Sequence, residues 1–192
     1  MDSAPQAVLD FWFGAPGSTE HGQVRAMWFT RSAATDEAIR TRFGAVVEAA
    51  LRGELRHWAD GDAREALALV LLLDQFTRNV FRDSARAFAG DAAALAIARR
   101  LVADGRHRQL TPVERWFAYL PFEHSESMVD QLESLRLFGA LAEEGLAEPL
   151  VWARKHHEVI ARFGRYPHRD ELLGRVSTAE ESEFLRQPGS RF

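Results

Sequence analysis

The chain has 192 residues, 46% of them hydrophobic and 27% charged, with a formal net charge of −4. That size fits one domain, or at most a tightly joined pair, and buries roughly 70% of the unfolded surface without a covalent staple. The acidic balance argues against a general nucleic-acid binder, and the lack of cysteine excludes disulfides, thiol catalysis and thiolate metal ligation.

Lys155 is the sole lysine among 24 basic residues, so arginine richness alone is weak evidence of a site. The longest strictly apolar run is ALALVLLL, residues 66–73. It is far short of the ~20 residues that a membrane span needs. The first residues show no basic region followed by an apolar core. A cytoplasmic location without a signal peptide is therefore expected.

Helix signals recur along the whole chain. Ser3 and Pro5 open a short helix through Phe13, which Gly14 ends. Residues 14–30 form a loop closing on Trp28 and Phe29. Thr35 caps a second helix carrying Ile39, Phe43, Val46, Val47 and Ala50 at helical spacing, with a stop at Gly53. Asp62 caps a long segment running to about Arg82, and Asp91 caps another that Gly105 ends. TPVE at 111–114 is the clearest start, with a capping box and proline at the first helical position. Pro121 is expected to end that helix. Ser125 or Ser127 starts the next, carrying Met128, Leu132, Leu135 and Phe138 inward. A helix from Ala147 to Arg162 and a last short one capped by Ser177 or Thr178 complete the set. No run alternates as a strand. The expectation is a single all-α domain over 1–192, of eight to ten helices. Trp12, Trp28 and Trp58 are candidates for exposure, which would favour an oligomer; the sequence decides nothing about oligomeric state.

Three polar constellations sit on this apolar frame. EALALVLLL is apolar all round, as befits a helix buried on every side. It then gives way to Asp74, Gln75, Arg78, Asn79 and Arg82, which share about 140° of arc. Asp74 with Arg78, and Gln75 with Asn79, stand four apart and can pair along the helix. The second constellation is YLPFEHSES, with His124 and Glu126 just ahead of a helix N-terminus. The third is the stripe Trp152, His156, Ile160 and Phe163, which turns His156 toward the core and leaves His157 at its edge. FGRYPHRDELLGRVST follows it and gathers Arg165, His168, Arg169 and Arg175 on a loop interrupted by Gly164, Pro167 and Gly174. These cations either line an anion pocket together with Arg78 and Arg82, or clamp loop carbonyls and carboxylates. Asp74, Glu126, Asp170 and Glu171 are the acids available. His124, His156, His168 and Glu126 lack the spacing of a tight metal motif, so neither metal nor cofactor is expected.

The blocks LLLDQFTRNVFR, AFAGDAAALAIA, YLPFEHSES with Gln131, and HHEVIARFGRYPHRDELLGRVST resemble the signature of the domain of unknown function 924 (DUF924) family. VLDFWFG and the Trp28–Phe29 pair fit the same pattern, and the resemblance covers about residues 6–186 in order. It implies an all-α, multi-helical right-handed superhelix similar to tetratricopeptide folds. It implies no reaction. Tyr166 and Asp170 depart from the family's FPHRN, and Ser127 stands where the family tends to carry an acid. Asp170 adds a negative charge to the arginine loop and favours an internal ion pair there.

Three functions remain open on these residues. The first is a binding module for a small anionic ligand or a peptide carboxylate, using Asp74, Gln75, Arg78, Asn79, Arg82, Arg165, His168, Arg169 and Arg175. The second is a hydrolase or lyase on an anionic substrate, with His124 or His156 as acid/base and Glu126 or Asp74 orienting it. In the third, the polar clusters are scaffolding only.

Overall fold

We describe residues 4–190 of a computed structural model of the chain. These residues are all-helical, with no strand among them. Ser3, expected at the first helix start, lies outside them. Helix α1 (Ala4–Phe13) ends where Arg25 Nη1 donates to the carbonyls of Phe11 and Trp12, and Trp28 Nε1 donates to Trp12 O at 2.9 Å. Side chains from the following loop thus satisfy carbonyls that the helix end leaves open. The same contacts bury Trp28 beside Trp12 and Phe117. Trp12, Trp28 and Trp58 are all buried, which corrects the exposure expected of them.

Helix α2 (Ala33–Leu51) starts earlier than expected, because Ser32 and not Thr35 is its N-cap: Ser32 Oγ accepts from Thr35 N at 3.2 Å. A short α3 (His57–Asp60) precedes α4 (Ala63–Val70), which Asp62 and Glu65 open with a capping box. The buried run then widens into a π-helical stretch, Leu71–Phe76, before α5 (Thr77–Val80). Around Leu73 the local geometry is specific. Thr77 Oγ1 donates to its carbonyl at 2.8 Å, and Gly90 packs so close that a Cβ there would lie 2.1 Å from the same oxygen. Helix α6 (Asp91–Ala103) follows with Gly90, not Asp91, at its N-cap.

Helix α7 (Pro112–Glu123) has the expected Thr111–Glu114 box, but Pro121 does not end it. Proline this near a C-terminus removes a single backbone bond, and burial of Phe122 in the next turn favours continuation. Helices α8 (Met128–Glu143) and α9 (Glu148–Phe163) form a hairpin about Gly145. A last helix, α10 (Ala179–Phe184), is capped by Thr178 with Glu181. The inward face of α8 is Gln131, Ser134, Leu137, Phe138 and Leu141; that of α9 is Ala153, His156, Val159 and Ile160. Leu132 is 56% and Trp152 42% exposed, against expectation; Gln131 and Ala153 hold the inward positions next to them.

The chain gathers into two compact units. One runs to Arg82 and resumes over Arg86–Pro121; the other comprises Asp83–Ala85 and the chain from Phe122 onward. Trp12, Trp28, Trp58 and Trp116 are buried in the first. In the second, Trp152 lies under the Lys155 ammonium, 4.1 Å from ring centre to Nζ. Among the described residues, no helix is long and apolar enough to cross a membrane.

Candidate functional site

The polar face at the end of the buried helix is internally paired. Asp74 is fully buried; its Oδ2 accepts from Gln75 Nε2 at 2.6 Å, and its Oδ1 lies 3.4 Å from Arg78 Nη1. Arg78 donates to Asp74 O and grips Asp91 with both terminal nitrogens, at 2.8 and 3.1 Å. Arg82 holds Asp36 in a fork of 2.6 and 2.7 Å, and Asn79 Nδ2 adds a third bond to that carboxylate at 2.8 Å. Burial would raise the pKa of Asp36, but these bonds to Arg82 and Asn79 outweigh it and lower the carboxyl below its usual range. The expected Gln75–Asn79 pair is replaced by Gln75–Asp74 and Asn79–Asp36. In the sequence Asp36 reads as a first-turn acid and Asp91 as a cap; their distance from Arg82 and Arg78 hides their role.

The arginine loop of the second unit is bound just as closely. Arg165 makes two bonds of 2.7 Å to Glu181 and one of 3.0 Å to Val176 O. Arg175 forks onto Glu126 at 2.8 and 3.0 Å and reaches Asp170 Oδ1 at 2.8 Å and Tyr166 O at 3.0 Å. Asp170 also accepts from Ser177 Oγ at 2.8 Å. Glu126 accepts a further bond from Tyr166 N at 2.8 Å. Burial opposes its ionisation, but Arg175 and the Tyr166 amide prevail and lower its pKa. The two bonds from Arg165, with Thr178, hold Glu181 down to about 2.

A different group of residues forms around Tyr166, whose side chain is fully buried. The ring of His156 meets it edge-on at 5.6 Å, that of His168 lies at 5.5 Å, and the Arg169 guanidinium sits 4.5 Å from its centre. His124 lies 6.3 Å from His156. The Tyr166 hydroxyl donates to Glu123 O and accepts from Gln131 Nε2 at 2.9 Å. Gln131 Nε2 also lies 2.8 Å from Glu123 O and 2.7 Å from Ser125 O. Burial pushes the phenol pKa up.

His156 is buried and anchored at one nitrogen. Its Nδ1 is 2.9 Å from Trp152 O and 3.2 Å from Glu123 Oε1. The carbonyl can only accept, so the network assigns the ring proton to Nδ1 and the lone pair to Nε2. Burial pulls the pKa down to about 3; the Trp152 carbonyl acts against it, and the positive charges of His124, His168 and Arg169 act with it. A carboxylate at 3.2 Å would favour the imidazolium, but burial, the largest influence, wins. The ring is neutral near pH 7.

The acid/base trio read from the sequence is therefore only partly assembled. His124 and His156 adjoin, but Glu126 is spent on Arg175 and the Tyr166 amide; the carboxylate beside His156 is Glu123. Asp74 lies in the first unit, held by Gln75 and Arg78. Glu123 was hidden by its place at the end of a helix that Pro121 was expected to stop. Ser125 Oγ donates to Asp130 at 2.7 Å, an anchoring role. Among the described residues, no group of three or more His, Cys, Asp or Glu is placed to hold a metal ion.

Residues 8–189 match the family model described as bacterial protein of unknown function, DUF924. The chain belongs to the DUF924 family. It is also similar to the solved structure of the protein of unknown function ATU0120 from Agrobacterium tumefaciens. The two are 35% identical, with a TM-score of 0.83 over 95% of this chain and 96% of that one. No curated protein matches. Asp170 bonds Arg175 and Ser177, the internal ion pair expected of its charge on the arginine loop.

Proposed function

We propose that this protein is a binding module for a small anionic ligand or a peptide carboxylate, with its site at His124, His156, His168 and Arg169 around Tyr166. One observation carries the reading: the His156, His168 and Arg169 side chains gather around the Tyr166 ring, with His124 beside His156. An anion placed there would meet the Arg169 guanidinium and imidazole N–H donors. Arg78, Arg82, Arg165 and Arg175 hold carboxylates of the chain itself. The reading centres on His168 and Arg169 of the loop, with His124 and His156.

Catalysis fits less well. A histidine with a pKa of about 3 is some four units from neutral pH, where general acid–base work is least efficient. The test is an NMR titration of the imidazole C–H signals with propionate and with inorganic phosphate. Saturable shifts of His124 and His168 are expected, weakened about tenfold or more by Arg169→Gln, since a charge-assisted bond is worth roughly 1.5–3 kcal/mol. Arg82→Gln should leave them unchanged. Absence of saturable shifts, or equal weakening by both variants, would refute the site.

A further inference from the structure

Helix α10 is held to the second unit by a few side chains. It has six residues, too few for a helix to persist in water without tertiary contacts. Among the described residues, no other helix packs along it. Arg165 forks onto Glu181 with two bonds of 2.7 Å. Arg162 Nε donates to Glu180 at 2.8 Å, and both of those side chains are largely exposed, so that pair holds little. Phe163 lies between the two arginines in the sequence and meets Phe184, ring centres 5.1 Å apart. Phe163, Phe184 and Met128 pack over the buried Val159, Ile160 and Tyr166. The loop leading into α10 is fixed separately, Arg175 by Glu126 and Asp170, and Ser177 by Asp170. Helix α10 can therefore leave without loosening that loop. Arg165 would keep its bond to Val176 O, with Asp170 Oδ2 3.4 Å away.

We propose that α10 is a displaceable clasp, and that the face beneath it, Arg162, Phe163 and Arg165 with Met128, docks a helical segment of another protein that repeats the α10 pattern. That pattern is the Thr178 cap, the adjacent acids Glu180 and Glu181, and an aromatic residue, Phe184, one turn later. Recognition is charge complementarity about an aromatic anchor. Helix α10 is the resident occupant. It shows the chemistry the face accepts, and it lowers a partner's apparent affinity by holding the face closed most of the time. Docking here does not require the anion site of His168 and Arg169.

The probe is a fluorescein-labelled peptide of residues 177–190, followed by anisotropy against the full chain. It should bind Glu181→Gln, whose own clasp is weakened, at least about tenfold more tightly than wild type. Adding Arg165→Gln should abolish that binding. Phe184→Ala loosens the clasp in a second way and should give the same gain, should Glu181→Gln lose its fold by circular dichroism. Equal affinity for wild type and the loosened chain, or binding that survives the loss of Arg165, overturns the proposal. Hydrogen exchange reads the clasp in wild type directly. Amides of α10 should exchange well before those of α9, and equal protection of both would leave no clasp to open. If sedimentation of the loosened chain shows a dimer that Arg165→Gln dissolves, the occupant is a second copy of this chain, and the partner assigned here falls.

Discussion

His156→Gln should flatten the acid limb of the stability curve. The folded-state pKa of His156 is depressed to about 3 from an ordinary 6.5. Between those values the unfolded chain binds one proton more at this residue than the folded protein does. Stability from this group is therefore complete above pH 6.5 and falls as pH drops toward 3. The slope is about 1.4 kcal/mol per pH unit. Going from pH 7 to pH 4.5 then costs wild type about 2–3 kcal/mol through this histidine alone. Depressed acids such as Glu181 and Glu126 also lose stability in acid, but they do so in both proteins and cancel in the comparison. Urea unfolding followed by circular dichroism at pH 7 and 4.5 supplies the double difference. Should the Glu123 carboxylate at 3.2 Å instead hold His156 as an imidazolium, the sign reverses and stability would fall as pH rises. A wild type that loses no more stability than His156→Gln would refute the neutral, buried ring.

Other sites give sharper structural tests. Asp74→Ala leaves Arg78 with one carboxylate fewer and should cost about 2–4 kcal/mol in urea unfolding; a change under about 0.5 kcal/mol would remove its structural role. Gly90→Ala drives a methyl into the Leu73 carbonyl, so the thermal midpoint should fall by several degrees, about 1–3 kcal/mol of overpacking. Glu126→Gln loses the fork with Arg175, and the Tyr166 amide, which bonds that carboxylate, should exchange with deuterium faster. Unchanged exchange would show that the loop is held by Asp170 alone.

Local rules located most of the framework. The cap at Asp62, the box at Thr111 and, of the two alternatives, the box at Thr178 are there, because such caps need only residues a few positions apart. The same locality explains the misses. Ser32 caps α2 in place of Thr35, and at the π stretch Leu71–Phe76 the Leu73 carbonyl meets both Thr77 and the distant Gly90. The sequence brought His124, His156, His168 and Arg169 into view, but the carboxylate beside His156 is Glu123, which it did not single out. Glu126 has the right spacing from His124, yet the fork with Arg175 is made across a long sequence interval. The inward turn of Gln131 and Ser134 was hidden because periodicity assigns the core to Leu132 and Leu135, and only three-dimensional bonding reverses that.

The tryptophans divide the molecule optically. Four indoles are buried in the first unit, and Trp152 alone reports on the second, 42% exposed. Acrylamide should quench the red-shifted Trp152 emission first and leave the blue-shifted remainder for the other four. An amine-reactive dye on the sole lysine would sit against that same indole and accept its excitation. Melting of each unit would thus be read separately in one cuvette, without introducing a single substitution.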